Sequence, residues 1–269
     1  MTSILPISCQ MGLHQLRPSV DQLGYMTQHT ECLLKVINVV LERTYEMAPR
    51  RMKSYELGRG ERKNPHKSER ERLLEKAIWK QWAWEQFSVH QNGFSAKTCQ
   101  HIQTFQMPLR GNRGDKSWGM VDLVGVSFSG SPVVLELKQE AAKDTPLRML
   151  VEGLAYAVAV RRAWNEGNLR EEWLKSVKLK PQSVGIPETL LTVPIIGIAP
   201  TEYWKRKIGI IGQRSGGKVP ESAWLPFKKL CQTCADRGFP VSFLEFTIGE
   251  SDASGLPSVH SIRPPQLPW

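Results

Sequence analysis

The chain is poor in cysteine, with five in 269 residues. A low, odd count gives no disulfide framework and fits a reducing compartment, so a cytoplasmic location is expected. No apolar run approaches the roughly 20 residues that a membrane span needs, and no membrane partner is expected. The opening residues, MTSILPISCQMGLHQ, lack the basic and long apolar segments of a secretory signal. No internal repeat is visible. Acidic residues are also in deficit: 26 Asp and Glu stand against 36 Lys and Arg, a formal net charge of +10. Such an excess favours an anionic partner, nucleic acid first.

The deficit is local. Arg50, Arg51, Lys53, Arg59, Arg62, Lys63, Lys67, Arg70 and Arg72 face only four Glu within residues 50–72. Residues 205–218 hold Lys205, Arg206, Lys207, Arg214 and Lys218 with no acid. These last five are the candidate phosphate contacts, against the plainer reading of a solvated basic surface.

Apolar residues are plentiful enough, at 41%, for one large domain with an extension. Periodicity sets residues 1–65 apart as a helical, basic N-terminal extension with a helix over 27–46, 66–250 as the main domain, and 251–269 as a loop-like tail rich in Pro and Ser. Within the main domain the pattern predicts a helix over 68–87, strands over 100–108, 119–128 and 132–138, and a helix from Thr145 and Pro146 to about 164. A strand over 192–199, a helix over 222–237 and a strand over 240–248 follow. Hairpin strands followed by a crossover helix imply an α/β fold, a central mixed β-sheet flanked by helices.

The stretch GMVDLVGVSFSGSPVVLELKQE, residues 119–140, is an apolar hairpin that carries Asp122, Glu136 and Lys138. Charges in a buried sheet are costly unless paired or bound to a metal. Glu136 and Lys138, two residues apart, point to one face. If Asp122 shares it, two hard carboxylate ligands suit Mg²⁺, with Mn²⁺ as a substitute. A neighbouring ammonium can offset charge building on phosphorus. The plainer alternative is a surface hairpin with a Glu–Lys ion pair.

On Val121-Asp122 and Glu136-Leu137-Lys138, set on strand, turn, strand and then apolar helix, the chain resembles the PD-(D/E)XK nuclease superfamily. The resemblance covers about residues 66–165, with Val121 where the family name has Pro. It implies a restriction-endonuclease-like core and Mg²⁺-dependent hydrolysis of phosphodiesters, expected in DNA, with 5′-phosphate products. It also implies that Asp122 and Glu136 bind the metal with the carbonyl of Leu137, and that Lys138 assists the nucleophilic water. A further Glu is expected on the preceding helix. Glu71 is chosen because it shares an edge with Leu74 and Ile78; Glu75 is the reserve, with an exposed helix charge as its plainer role. Glu152 and Tyr156, at i and i+4, resemble the Gln-xxx-Tyr pair of RecB-like members, matching at Tyr and differing at Gln; the alternative is a core Tyr bonded to a Glu.

The alternative function is a non-catalytic nucleic-acid-binding or assembly subunit on the same fold, working with protein partners in a transposition or defence complex. Two lookalikes are set aside. The P-loop-like run from Gly212 to Lys218 has Val219 where a Ser or Thr would hold Mg²⁺. Cys231 and Cys234 would need Cys99 and His101 to complete a zinc set. Trp79, Trp82 and Trp84 are read as core or interface residues.

Overall fold

The computed structural model describes residues 38, 41, 42, 45, 55, 57, 70–83, 99–109, 120–178, 185–208 and 221–268. The helix expected over 27–46, most of the basic segment 50–72, Trp84, Arg214 and Lys218 are largely or wholly outside them. In chain order the described elements are α1 (Arg70–Trp82), β1 (His101–Pro108), β2 (Met120–Val126), β3 (Pro132–Leu137), α2 (Pro146–Glu166) and α3 (Leu169–Ser176). Then come β4 (Ile195–Pro200), α4 (Thr201–Ile208), α5 (Glu221–Asp236), β5 (Val241–Ser251) and β6 (Pro257–Arg263). The strands form one sheet in sequence order. β3–β4 and β4–β5 are parallel and the other pairs antiparallel, so the chain is α/β with a mixed sheet, as expected.

Local chemistry explains the central elements. The β2–β3 turn closes on Gly130, whose φ of 75° suits a residue without Cβ and whose N–H donates to Ser127 O at 3.0 Å. Thr145 caps α2, its hydroxyl accepting from Arg148 N at 3.3 Å, and Pro146 follows where no intrahelical N–H is missed. Both faces of the sheet are covered. Val124, Val134, Ile195 and Phe243 pack with α2, α4 and α5 on one side. Leu123, Leu135, Ile196 and Phe246 pack with Leu74, Ile78 and Trp82 of α1 on the other. At about 1.5–3 kcal/mol for each fully buried side chain of this kind, these layers make the sheet a stiff platform.

Gly197, in the middle of β4, is a point of close approach. A Cβ there would lie 2.3 Å from Met149 Sδ and 2.6 Å from Cδ1 of Phe243. Gly197→Ala is therefore expected to cost about 1–3 kcal/mol through overpacking. The change should appear as a lower denaturant midpoint at unchanged slope.

Three elements depart from expectation. α3 and α4 are helices of eight residues each, too short for periodicity to announce. The tail is not loop throughout: β5 runs on to Ser251, and Pro257–Arg263 pairs back on it with Ile248 opposite Val259 and Glu245 opposite Arg263. Pro257 is tolerated because it opens an edge strand, and the exposure of much of that strand hides it from a reading based on apolar content. Among the described residues no helix is long and apolar enough to cross a membrane.

Candidate functional site

The polar residues of the hairpin meet at the end of the sheet where β1 and β3 finish. Leu123 lies opposite Leu135, so the next rung sets Asp122 across from Glu136. Phe105 and Met107 lie opposite Leu123 and Val121, which sets Gln106 on the rung of Asp122. Gln106, Asp122 and Glu136 thus form a row across three strands. Where the β2–β3 ladder ends, Asp122 Oδ2 accepts the N–H of Leu137 at 2.9 Å.

Helix α2 completes the group. Gly153 lets it lie close on the sheet, since a Cβ there would be 2.8 Å from Ile195 and 3.6 Å from Glu136 Cβ. Its neighbour Glu152 consequently reaches Lys138. The ammonium of Lys138 donates to Glu136 Oε1 and to Glu152 Oε2, both at 2.6 Å. Asp144 stands 3.9 Å from it, and Arg148 binds Glu152 at 3.0 Å and Asp144 at 2.8 Å.

Glu136 and Lys138 are 3% and 5% exposed, and burial sets the electrostatics. Burial and Glu75 push the Asp122 carboxyl well above the carboxylate range; burial and Asp122 do the same to Glu136. Burial also pushes Glu152 up, but Lys138 and Arg148 outweigh it and hold that carboxyl down at about 2. Burial pulls Lys138 down, yet Glu136, Glu152 and Asp122 overcome this and hold it well above the lysine range. The ammonium form of Lys138 is thus favoured by the carboxylates packed around it. The phenol of Tyr156 is raised by burial and by Glu136 and Asp122, so it stays protonated.

On α1 the structure brings the reserve residue deeper than the chosen one. Glu75 is 2% exposed and accepts from Gln106 Nε2, while Glu71, one turn earlier, is half-buried. The expected exposed charge at Glu75 is corrected: both residues lie on the face defined by Leu74 and Ile78, and the later one sits further in. Burial pushes the Glu75 carboxyl up to about 8, with Glu71 and Glu136 adding to the rise. Gln106 was not foreseen. Its φ of 53° is left-handed, a conformation that costs a non-glycine residue about 1–3 kcal/mol and concentrates at functional sites; neither residue type nor spacing signals it.

Glu75 gives a signed pH test. The folded protein keeps this proton to about pH 8, whereas the unfolded chain releases it near the ordinary value of 4.5. Between the two the folded state binds more protons, so stability falls as pH rises through that window. Glu75→Gln, measured by denaturant unfolding in EDTA, is expected to flatten this decline and to be the more stable protein at pH 8.

Of the basic run, Lys205, Arg206 and Lys207 lie among the described residues, on α4. Lys205 pairs with Glu202 at 2.8 Å. Arg206 donates to the carbonyls of Glu140 and Ala142. Lys207, 1% exposed, donates to Lys143 O at 3.0 Å. Helix α4 thus turns Lys207 and part of Arg206 onto the protein, while Lys205 stays partly exposed.

Among the described residues no three His, Cys, Asp or Glu come close enough together to hold a metal. Asp122 and Glu136 offer a pair of carboxylates, and Glu136 Oε2 is buried without a hydrogen-bond partner. The residues fit a hard cation in kind: oxygen donors, an orphaned carboxylate oxygen, and two acids that repel each other. The cysteines do not fit zinc, since Cys234 packs in the core on one face of the sheet and Cys99 in the core on the other. Trp79 stacks on Phe105 at 5.4 Å and Trp82 is buried, both core roles. No protein-family model, curated protein or solved structure matches the chain.

Proposed function

We propose that this chain is a divalent-metal-dependent nuclease of the PD-(D/E)XK type, on a restriction-endonuclease-like core, hydrolysing phosphodiesters in DNA. The observation that carries the reading is the Asp122–Glu136 pair: two carboxylates on one rung, both driven towards protonation, one with a buried unpartnered oxygen. A cation between them would relieve both the burial cost and the repulsion. Mg²⁺ suits two carboxylates because it keeps several waters and favours phosphate oxygens, with Mn²⁺ as a substitute. When bound, such an ion supplies Lewis-acid polarisation of a phosphoryl oxygen and activation of water. In this reading the Leu137 carbonyl is the remaining protein ligand.

The chain's own residues do the rest. Lys138, held by Glu136 and Glu152, faces the charge that develops on phosphorus. Arg148 fixes Glu152, and so fixes Lys138 at one remove. Glu75 and Gln106 border the pair on the α1 side, with Glu71 at the rim. The net charge of +10 supports a polyanionic substrate. With Arg206 and Lys207 turned inward, exposed cations such as Arg70 and Lys143 are better placed to meet phosphates.

The testing experiment is product analysis on single-stranded, duplex and branched DNA in Mg²⁺, Mn²⁺, Ca²⁺ or EDTA. Cleavage with 5′-phosphate ends is expected in Mg²⁺ and Mn²⁺ and none in EDTA; Ca²⁺ should bind without supporting turnover, because its loose coordination positions water poorly. Absence of cleavage on every substrate would overturn the reading. It would favour the second one, a non-catalytic nucleic-acid-binding or assembly subunit. Its specific support is Lys138, held in 2.6 Å contacts with Glu136 and Glu152, beside a pair that lacks a third clustered acid among the described residues.

A further inference from the structure

We propose that Tyr203, Arg206 and Lys207 are positioning residues, a clamp from α4 that holds the β3–α2 loop in the shape that presents Asp144 to Lys138. Four consecutive or near-consecutive carbonyls of that loop accept from α4 side chains. Arg206 Nη2 donates to Glu140 O and, at 3.3 Å, to Ala142 O. Lys207 Nζ donates to Lys143 O and Tyr203 OH to Asp144 O, each at 3.0 Å. Each of these contacts goes to a backbone oxygen of the one loop, the pattern of a clamp on its shape.

The cost of the arrangement argues that it has a use. Lys207 and Tyr203 are almost fully buried. Burial and the neighbouring Arg206 pull the Lys207 amine down to about 8, so its charge is held at a penalty. The Tyr203 ring, 5.4 Å from Lys207 Nζ, offsets part of it. What the clamped loop delivers is Asp144, placed against Arg148 at 2.8 Å and within 3.9 Å of Lys138. The other end of the same device is β4: Ile198 O accepts the Lys138 N–H at 3.0 Å, and α4 begins directly after that strand. Strand β4 and helix α4 therefore hold Lys138 from its backbone and from its flanking loop. The chemistry is that of second carboxylate partners orienting a reactive group, here an ammonium that would face a phosphate.

The clamp deepens the reading of Lys138 as a site residue, but its test requires neither metal nor nucleic acid, so either can fail alone. Full-length wild type, Tyr203→Phe, Lys207→Met and Asp144→Asn are compared by amide hydrogen exchange over residues 139–145 and by the rate of Lys138 acetylation with acetic anhydride, read by mass spectrometry. Tyr203→Phe and Lys207→Met are expected to speed both, by about five- to ten-fold for the loss of one hydrogen bond. Asp144→Asn should speed Lys138 acetylation while leaving loop exchange as in wild type. Acetylation of the exposed Lys80 should not change. Faster loop exchange with unchanged Lys138 acetylation would overturn the positioning role, and unchanged exchange would overturn the clamp itself. Tyr203→Phe removes a single hydroxyl, and it decides the matter if Lys207→Met does not fold.

Discussion

Asp122→Asn is expected to abolish metal-dependent cleavage while raising the melting temperature of the metal-free protein. The two effects have opposite signs and one cause. In the metal-free protein Asp122 is a carboxyl raised by burial and by Glu75, on the rung of a second raised carboxyl, Glu136. Asn removes the repulsion and can still accept the Leu137 N–H through its amide oxygen. A gain of a few °C in EDTA follows for a domain of this size, on the order of 2–4 °C per kcal/mol relieved. Cleavage should fall by at least roughly 10³, since the ligand set for the ion is lost. Stabilisation by added Mg²⁺ or Mn²⁺, about 2.7 kcal/mol at a hundred times Kd, should vanish with it. Cleavage at the wild-type rate would put the chemistry elsewhere.

Lys138→Ala should be costly twice over. Loss of a preorganised cation facing developing charge is worth about 10²–10³ in cleavage rate. Folding should suffer as well. A lysine at a strand end is expected from sequence to reach solvent and to be dispensable for the fold, but Lys138 is 5% exposed between Glu136 and Glu152. Deleting it strands buried carboxylates, which typically costs about 3–5 kcal/mol. Adding Glu152→Gln to Lys138→Ala should recover part of that stability without recovering cleavage. A double-mutant cycle by urea unfolding measures the coupling. Coupling near zero would mean that the 2.6 Å contact contributes little.

Much of this site was legible because its geometry follows from strand arithmetic. The two-residue period puts Glu136 and Lys138 on one face, and the short turn sets Asp122 opposite Glu136. The Thr145–Pro146 start of α2 then aims Glu152 and Tyr156 at that face. Depth was not legible. Glu71 and Glu75 lie on the same helical face, and only the packing of α1 on the sheet decides which is engulfed. Gln106 depends on a left-handed backbone that no residue pattern requires. The depth of Lys207 was hidden because Lys counts as a surface residue until a helix as short as α4 turns it onto a loop carbonyl. β6 was hidden by the polar character of an exposed edge strand.

The most direct measurement is a Mn²⁺ titration of the full chain, by electron paramagnetic resonance of the free ion with calorimetry alongside, for wild type, Asp122→Asn and Glu136→Gln. A divalent-ion site formed by these two carboxylates should appear as one saturable site in wild type. It should be displaced by Mg²⁺ and lost, or weakened by about a hundred-fold or more, in either variant. Wild-type protein that binds no Mn²⁺, or variants that bind it as well as wild type, would contradict the assignment of Asp122 and Glu136 as the metal-holding pair.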